Sequence, residues 1–144
     1  MNTFVKVTAL SAITFSSMNA FAVSDTFDAT LEVKQAITMT RTSNLDFGII
    51  TSDRTTDVVI AQGDAGAATF TIDGGAGEVV DVVISGTNLV NGANNVAATF
   101  DFSPALTLTG GTAELKIGGT AQVSTATLVA GTYSASVPVD VTYQ

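Results

Sequence analysis

The sequence predicts an all-β fold. Three observations carry this reading: threonine and valine dominate residues 23–144, glycine, asparagine and aspartate interrupt the chain at short intervals, and several runs alternate apolar with polar side chains. β-Branched residues fit a pleated surface. A period of two turns one strand face to a core and leaves the other wet. Many short strands joined by tight turns suggest two antiparallel sheets packed face to face, a β-sandwich of immunoglobulin-like type. The chain has neither cysteine nor tryptophan, so the Cys–Trp–Cys core of antibody domains is missing. Packing and backbone pairing must hold the sheets alone.

Residues 1–22 read as a secretory signal peptide. Lys6 precedes an apolar run over 7–15, and the segment ends in Ala20-Phe21-Ala22, the order of a basic region, a short apolar region and a small–x–small cleavage site. The run is too short to cross a bilayer, which takes about 20 apolar residues. Removal after Ala22 leaves residues 23–144, enough for one domain with its own core. No second run of membrane-spanning length follows. The expected division is an N-terminal extension at 23–35 and a sandwich domain at 36–144.

Candidate strands follow in order at 25–34, 36–42, 45–50, 56–61, 67–72, 79–85, 95–102, 105–109, 113–117 and 132–143, with another over 120–128. Alternation is clearest at the two ends. Phe27, Ala29, Leu31 and Val33 fall on one side of the first run, opposite Thr26, Asp28, Thr30, Glu32 and Lys34. Val137, Val139, Val141 and Tyr143 alternate with Pro138, Asp140 and Thr142 in the last, and Phe100 and Phe102 alternate with polar neighbours in the middle. Gly74-Gly75, Asn91-Gly92, Gly110-Gly111 and Gly118-Gly119 supply turn positions between strands.

The formal net charge is −8 at pH 7. Once Lys6 leaves with the signal, only Lys34, Arg41, Arg54 and Lys116 stand against 13 acids. Such a surface disfavours nucleic acid, whose phosphates need cations, and adsorption on anionic lipid. The absence of cysteine and histidine removes thiolates, imidazole bases and the usual zinc and haem ligands. Asp53 and Asp57 flank Arg54, Asp64 and Asp73 lie near glycines, and Glu78 precedes a strand, which reads as a set of solvated turn and strand-face acids. The calcium-loop spacing is absent, GGAG at 74–77 lacks the phosphate-binding spacings, and Ser103 and Ser136 have no imidazole to activate them. The expectation is a protein that is not an enzyme and carries no cofactor or metal. With Tyr133 and Tyr143 as the only tyrosines, side chains for stacking on sugars are scarce.

The chain's two ends hold the functional signal. The closing run begins with Ala130-Gly131-Thr132-Tyr133 and places Tyr143 just before Gln144. Here the chain resembles pilin subunits of the chaperone–usher type, which end in a strand with a penultimate tyrosine and an upstream glycine. Tyr143 and Gly131 take those positions. Such pilins also begin with an exposed extension of alternating apolar residues, and Phe27, Ala29, Leu31 and Val33 fit that pattern. With its Leu45-Asp46-Phe47-Gly48, the chain is also similar to a family of small exported bacterial β-domains of uncharacterised function. Members of that family share the leader, an Asn/Asp-Phe-Gly turn and a closing Ala-Gly-Thr-Tyr strand. It departs from the better-known pilins in lacking their disulfide.

The resemblance implies donor-strand assembly into a surface fimbria that supports adhesion or biofilm formation. Each subunit would be a sandwich missing a strand, completed by a neighbour's extension. Phe27, Ala29, Leu31 and Val33 would be the donor face. Gly131, Val137, Val139, Val141 and Tyr143 would line the receiving groove or the face offered to a chaperone. The implied partners are further copies of the chain or related subunits, a periplasmic chaperone and an outer-membrane usher, on a route through the periplasm to the cell surface. Two other readings remain at this point. One is a monomeric secreted or surface β-domain whose first strand packs in cis; the other is a carbohydrate-active or carbohydrate-binding domain.

Overall fold

A computed structural model describes residues 23–144; the signal peptide expected at 1–22 lies outside the described residues. The chain divides at Glu32 and Val33. The strand expected at 25–34 is not formed: residues 23–37 hold no strand or helix. An isolated strand has no partner for its N–H and C=O groups, so alternation alone does not make one.

From Val33 onward the described chain is all-β. In order come β1 (Thr38–Ser43), β2 (Val58–Ile60), β3 (Ala68–Asp73), β4 (Val79–Val83), β5 (Thr87–Asn91), β6 (Asn94–Asp101), β7 (Ala105–Thr107), β8 (Thr112–Ala121), a 3₁₀ turn (Val123–Thr125) and β9 (Asp140–Tyr143). One antiparallel sheet runs β1-β3-β8-β6-β5, with β2 continuing beside β8; the other runs β7-β4-β9. Among the described residues no helix is long and apolar enough to cross a membrane.

Register explains the core. Ala68, Phe70 and Ile72 of β3 stand opposite Ile117, Leu115 and Ala113 of β8, so one face of that pair is wholly apolar. Across the second sheet, Leu106, Val80 and Tyr143 form one inward row, while Asp81 turns outward. The two faces meet in a cluster built on Ile72, Val80, Leu108 and Leu115, each buried. This is a β-sandwich, as the sequence predicted.

Turns follow backbone chemistry. Gly110 and Gly111 both take positive φ (+67° and +91°), joining the bridged pair Thr109 and Thr112 as a two-residue hairpin of this kind demands. Gly92-Ala93 joins β5 to β6 between the paired Asn91 and Asn94, with positive φ only at Gly92 (+60°). β5 was not anticipated, although an Asn-Gly between alternating runs is a hairpin signal.

Gly118-Gly119 differs from expectation. β8 runs straight through both glycines, which serve close approach and not a turn. A Cβ on Gly118 would collide with the Ile60 carbonyl oxygen, and one on Gly119 would lie 2.9 Å from the Thr99 carbonyl oxygen. At this point β2 and β6 flank β8 on opposite edges. Three other expectations also change. The segment 45–50 is not a strand, 120–128 ends in the 3₁₀ turn, and the long closing strand shortens to β9.

The 3₁₀ turn is tied down by Asp57, whose carboxylate accepts the Ser124 N–H at 2.9 Å. That bond, with a further one from the Ser124 side chain, holds the Asp57 carboxyl below its ordinary range. A depressed carboxylate stabilises the fold above the unfolded pKa, near 3.9, and stops doing so as pH falls through the lower folded value. Thermal melts should therefore separate wild type from Asp57→Ala most at neutral pH and bring them together in acid. Gly118→Ala should destabilise the domain by about 1–3 kcal/mol through overpacking, read as a lower urea midpoint at unchanged slope.

Candidate functional site

The two sheets differ in width, and an apolar face goes uncovered by any strand. A second cluster, Val96, Ala121 and Val123, sits on β6, the end of β8 and the 3₁₀ turn. No residue of β4, β7 or β9 packs on it. Its partners include Phe47, Ile50, Leu128 and Tyr133, all from segments outside the strands.

An open groove of about 1110 Å³ runs over this face and on to Ala68, Phe70 and Ile117 of the first cluster; it is larger than the roughly 300–1,000 Å³ of ordinary small-ligand clefts. Residues 44–52 line one side and residues 128–137 with Val139 the other; Leu89, Val96, Phe100 and Ala121 contribute from the sheet. Asp46 is the one carboxylate and Arg41 the one cation among the lining residues.

The backbone of both sides is largely unpaired. Among the described residues, 127–139 make backbone-to-backbone hydrogen bonds only through Ser134, in a reciprocal pair with Val90 at 2.9 and 3.1 Å. Residues 44–52 do so only through Asp46, whose N–H reaches Gly66 at 2.8 Å, and Thr51, which accepts from Arg54 at 3.2 Å. A strand edge with free donors and acceptors beside an apolar trough is a template for one more strand.

Local sequence shapes each side. In Leu45-Asp46-Phe47-Gly48, Leu45 and Phe47 turn partly inward. The Asp46 carboxylate accepts the Gly48 N–H at 2.8 Å, and Gly48 takes φ +75°. This Asx-type turn ends the inward alternation and leaves Ile49 fully exposed. On the far side Gly131 takes φ +146°, and a Cβ there would strike the Asn91 carboxamide. The Tyr133 hydroxyl accepts the Val129 N–H at 3.0 Å.

The residues expected in the groove divide. Gly131, Val137 and Val139 line it. Val141 and Tyr143 lie outside it, opposite Val82 and Val80 in the other sheet, packed against the first cluster. The odd-numbered residues from 137 to 143 all turn inward, so the alternation persists while the partner changes. The chain pairs with β5 at Ser134 and with β4 from Asp140 on, and Pro138 between them has no N–H to donate. Phe27 and Leu31 are each 88% exposed, and Ala29 and Val33 are exposed too. Leu89 and Leu128 were not singled out by sequence; Leu45 and Ile50 entered only as the ends of the strand expected at 45–50, Leu45 also through the Leu-Asp-Phe-Gly run.

Compared with known families, residues 37–143 match the family described as Domain of unknown function (DUF4402). The chain belongs to this family. The DUF4402 match takes in both sides of the groove and all nine strands, and begins after the residues of the apolar leader. No curated protein and no solved structure matches the chain.

Gly131→Ala should destabilise this DUF4402 domain by about 1–3 kcal/mol, through unfavourable φ and the contact with Asn91. Adding Asn91→Ala should recover only the steric part, leaving a residual loss in a double-mutant cycle of chemical melts.

Proposed function

We propose that this chain is a structural subunit of a surface fimbria, polymerising head to tail by strand donation from residues 23–34 of one copy into the groove of the next. The observation that carries the reading is the pairing of an apolar trough with unpaired backbone on both sides. That site asks for an extended segment with alternating apolar side chains, and Phe27, Ala29, Leu31 and Val33 supply one in the same chain. Burial stabilises each large apolar side chain by about 1.5–3 kcal/mol, so the row contributes on the order of 5–10 kcal/mol. A whole domain is stable by about 5–15 kcal/mol. Filling the groove therefore changes a marginal subunit into a durable one.

A leader-to-groove contact is heterologous and propagates into an open filament instead of closing into a dimer. Export through the signal at 1–22, escort by a periplasmic chaperone and assembly at an outer-membrane usher complete the proposal. The chaperone's task would be to cover the same unpaired edges until a neighbour does.

Deleting residues 23–34 should abolish SDS-resistant polymers while leaving the signal and domain intact; long polymers from the truncated chain would end the proposal. A synthetic peptide of residues 23–35 should bind the truncated subunit and raise its Tm, by an amount corresponding to about 2.7 kcal/mol at one hundred times Kd. The same peptide with Leu31→Asp should give no shift. A truncated subunit that is stable alone and indifferent to either peptide would favour a monomeric surface domain.

A further inference from the structure

The last strand, β9, reaches back to the start of the domain. The Tyr143 hydroxyl donates to the Gln35 carbonyl at 2.6 Å and accepts the Gly75 N–H at 2.7 Å. Both functions of one phenol are thus used. The ammonium of Lys34 lies 5.4 Å from the centre of the same ring and pairs with Glu78 at 2.6 Å. A cation so placed gains from the ring's negative face.

The turn between β3 and β4 is shaped to admit this hydroxyl. A Cβ on Gly74 would stand 2.5 Å from the Tyr143 oxygen and 2.8 Å from Leu108 Cδ1, so no larger residue fits without displacing the phenol. Tyr143 itself is fixed by register, opposite Val80 on the inward face of β4. Residues 34–35 belong to no strand. Tyr143 and Glu78 tie them to the domain, and Gly75 in turn holds the Tyr143 hydroxyl.

We infer that Tyr143 is a positioning residue that pins the root of the leader, Lys34-Gln35, to the β3–β4 turn and fixes the point from which residues 23–33 are presented. The use of that presented strand rests on the fimbrial reading; the clasp itself does not. Lys34 is the one cation in 23–35, and the clasp engages its side chain. A trypsin-like protease needs that side chain in its own pocket and the flanking backbone extended, so the clasp also guards the leader against removal outside the cell. When opening is fast relative to cutting, cleavage follows the population of the open form.

The test is limited trypsin digestion of the mature chain, with each cut followed by mass spectrometry. Tyr143→Phe keeps the ring and removes the hydroxyl. Cleavage after Lys34 should accelerate about three- to tenfold, the range set by one net hydrogen bond, while cleavage after Arg54, in an exposed turn, keeps its rate. Glu78→Gln, at a half-buried position, should accelerate the Lys34 cut in low salt and lose the salt dependence seen in wild type. Unchanged Lys34 cleavage in both variants would overturn the inference. So would equal acceleration at Lys34 and Arg54, which would mean general loosening. Because digestion is read on isolated subunits, a chain that never polymerises leaves this outcome intact and counts only against the fimbrial reading.

Discussion

An apolar sheet face must be covered, and in this molecule the cover is narrower than the face. The larger sheet places inward residues along β3, β8, β6 and β5, whereas β7-β4-β9 reaches only the part built on Ile72 and Leu115. The remaining part, centred on Val96 and Ala121, is roofed by irregular chain. Layered folds bury each sheet's apolar face against another element, and a loop is a poor substitute because its own backbone needs partners. The groove, the unpaired segments beside it and the bent course of the C-terminal segment all follow from that mismatch.

Much of this was legible in the sequence. The runs of β-branched and apolar residues located the strands that became β3, β4 and β8, and period-two alternation gave the inward side of β6 at Phe100 and of the closing run. The Gly110-Gly111 and Asn91-Gly92 signals located two hairpins, where glycine takes the positive φ the turns require. The glycine signal misled at Gly118-Gly119, where the same absence of a Cβ serves the approach of two neighbouring strands. Composition does not distinguish those uses, since both need only that a side chain be missing. The closing run shows a different limit. Its alternation from Val137 to Tyr143 is correct as a facing pattern, yet Val137 looks into the groove, Val139 touches both the groove and the first cluster, and Val141 and Tyr143 pack on that cluster alone. Facing is a local property, and pairing is not.

The groove itself was legible only as a consequence of resemblance, through Asp46-Phe47-Gly48 and the closing Ala-Gly-Thr-Tyr run. Physically those motifs are its two sides: an Asx turn that sets Leu45 and Phe47 inward, and a glycine that lets chain 130–132 pass against Asn91. The residues in the family match are those of the domain and its groove, while the proposed occupant lies upstream of it. Under the proposed assembly the two would answer to different constraints: the groove must fit a fold, and the leader need only alternate and carry apolar bulk.

The central claim is that the leader of one copy fills the groove of another, and disulfide trapping tests it most directly. The chain has no cysteine of its own, so introduced thiols report without background, and a disulfide forms only between Cα atoms about 4–7 Å apart. Subunits carrying Leu31→Cys would be assembled with subunits carrying Phe47→Cys or Val137→Cys, and chains bearing both changes would be examined alone. The account predicts disulfide-linked pairs between different chains, in register with one side of the groove. Disulfides confined to single doubly substituted chains, or polymers that form with no cross-link to either side, would contradict it.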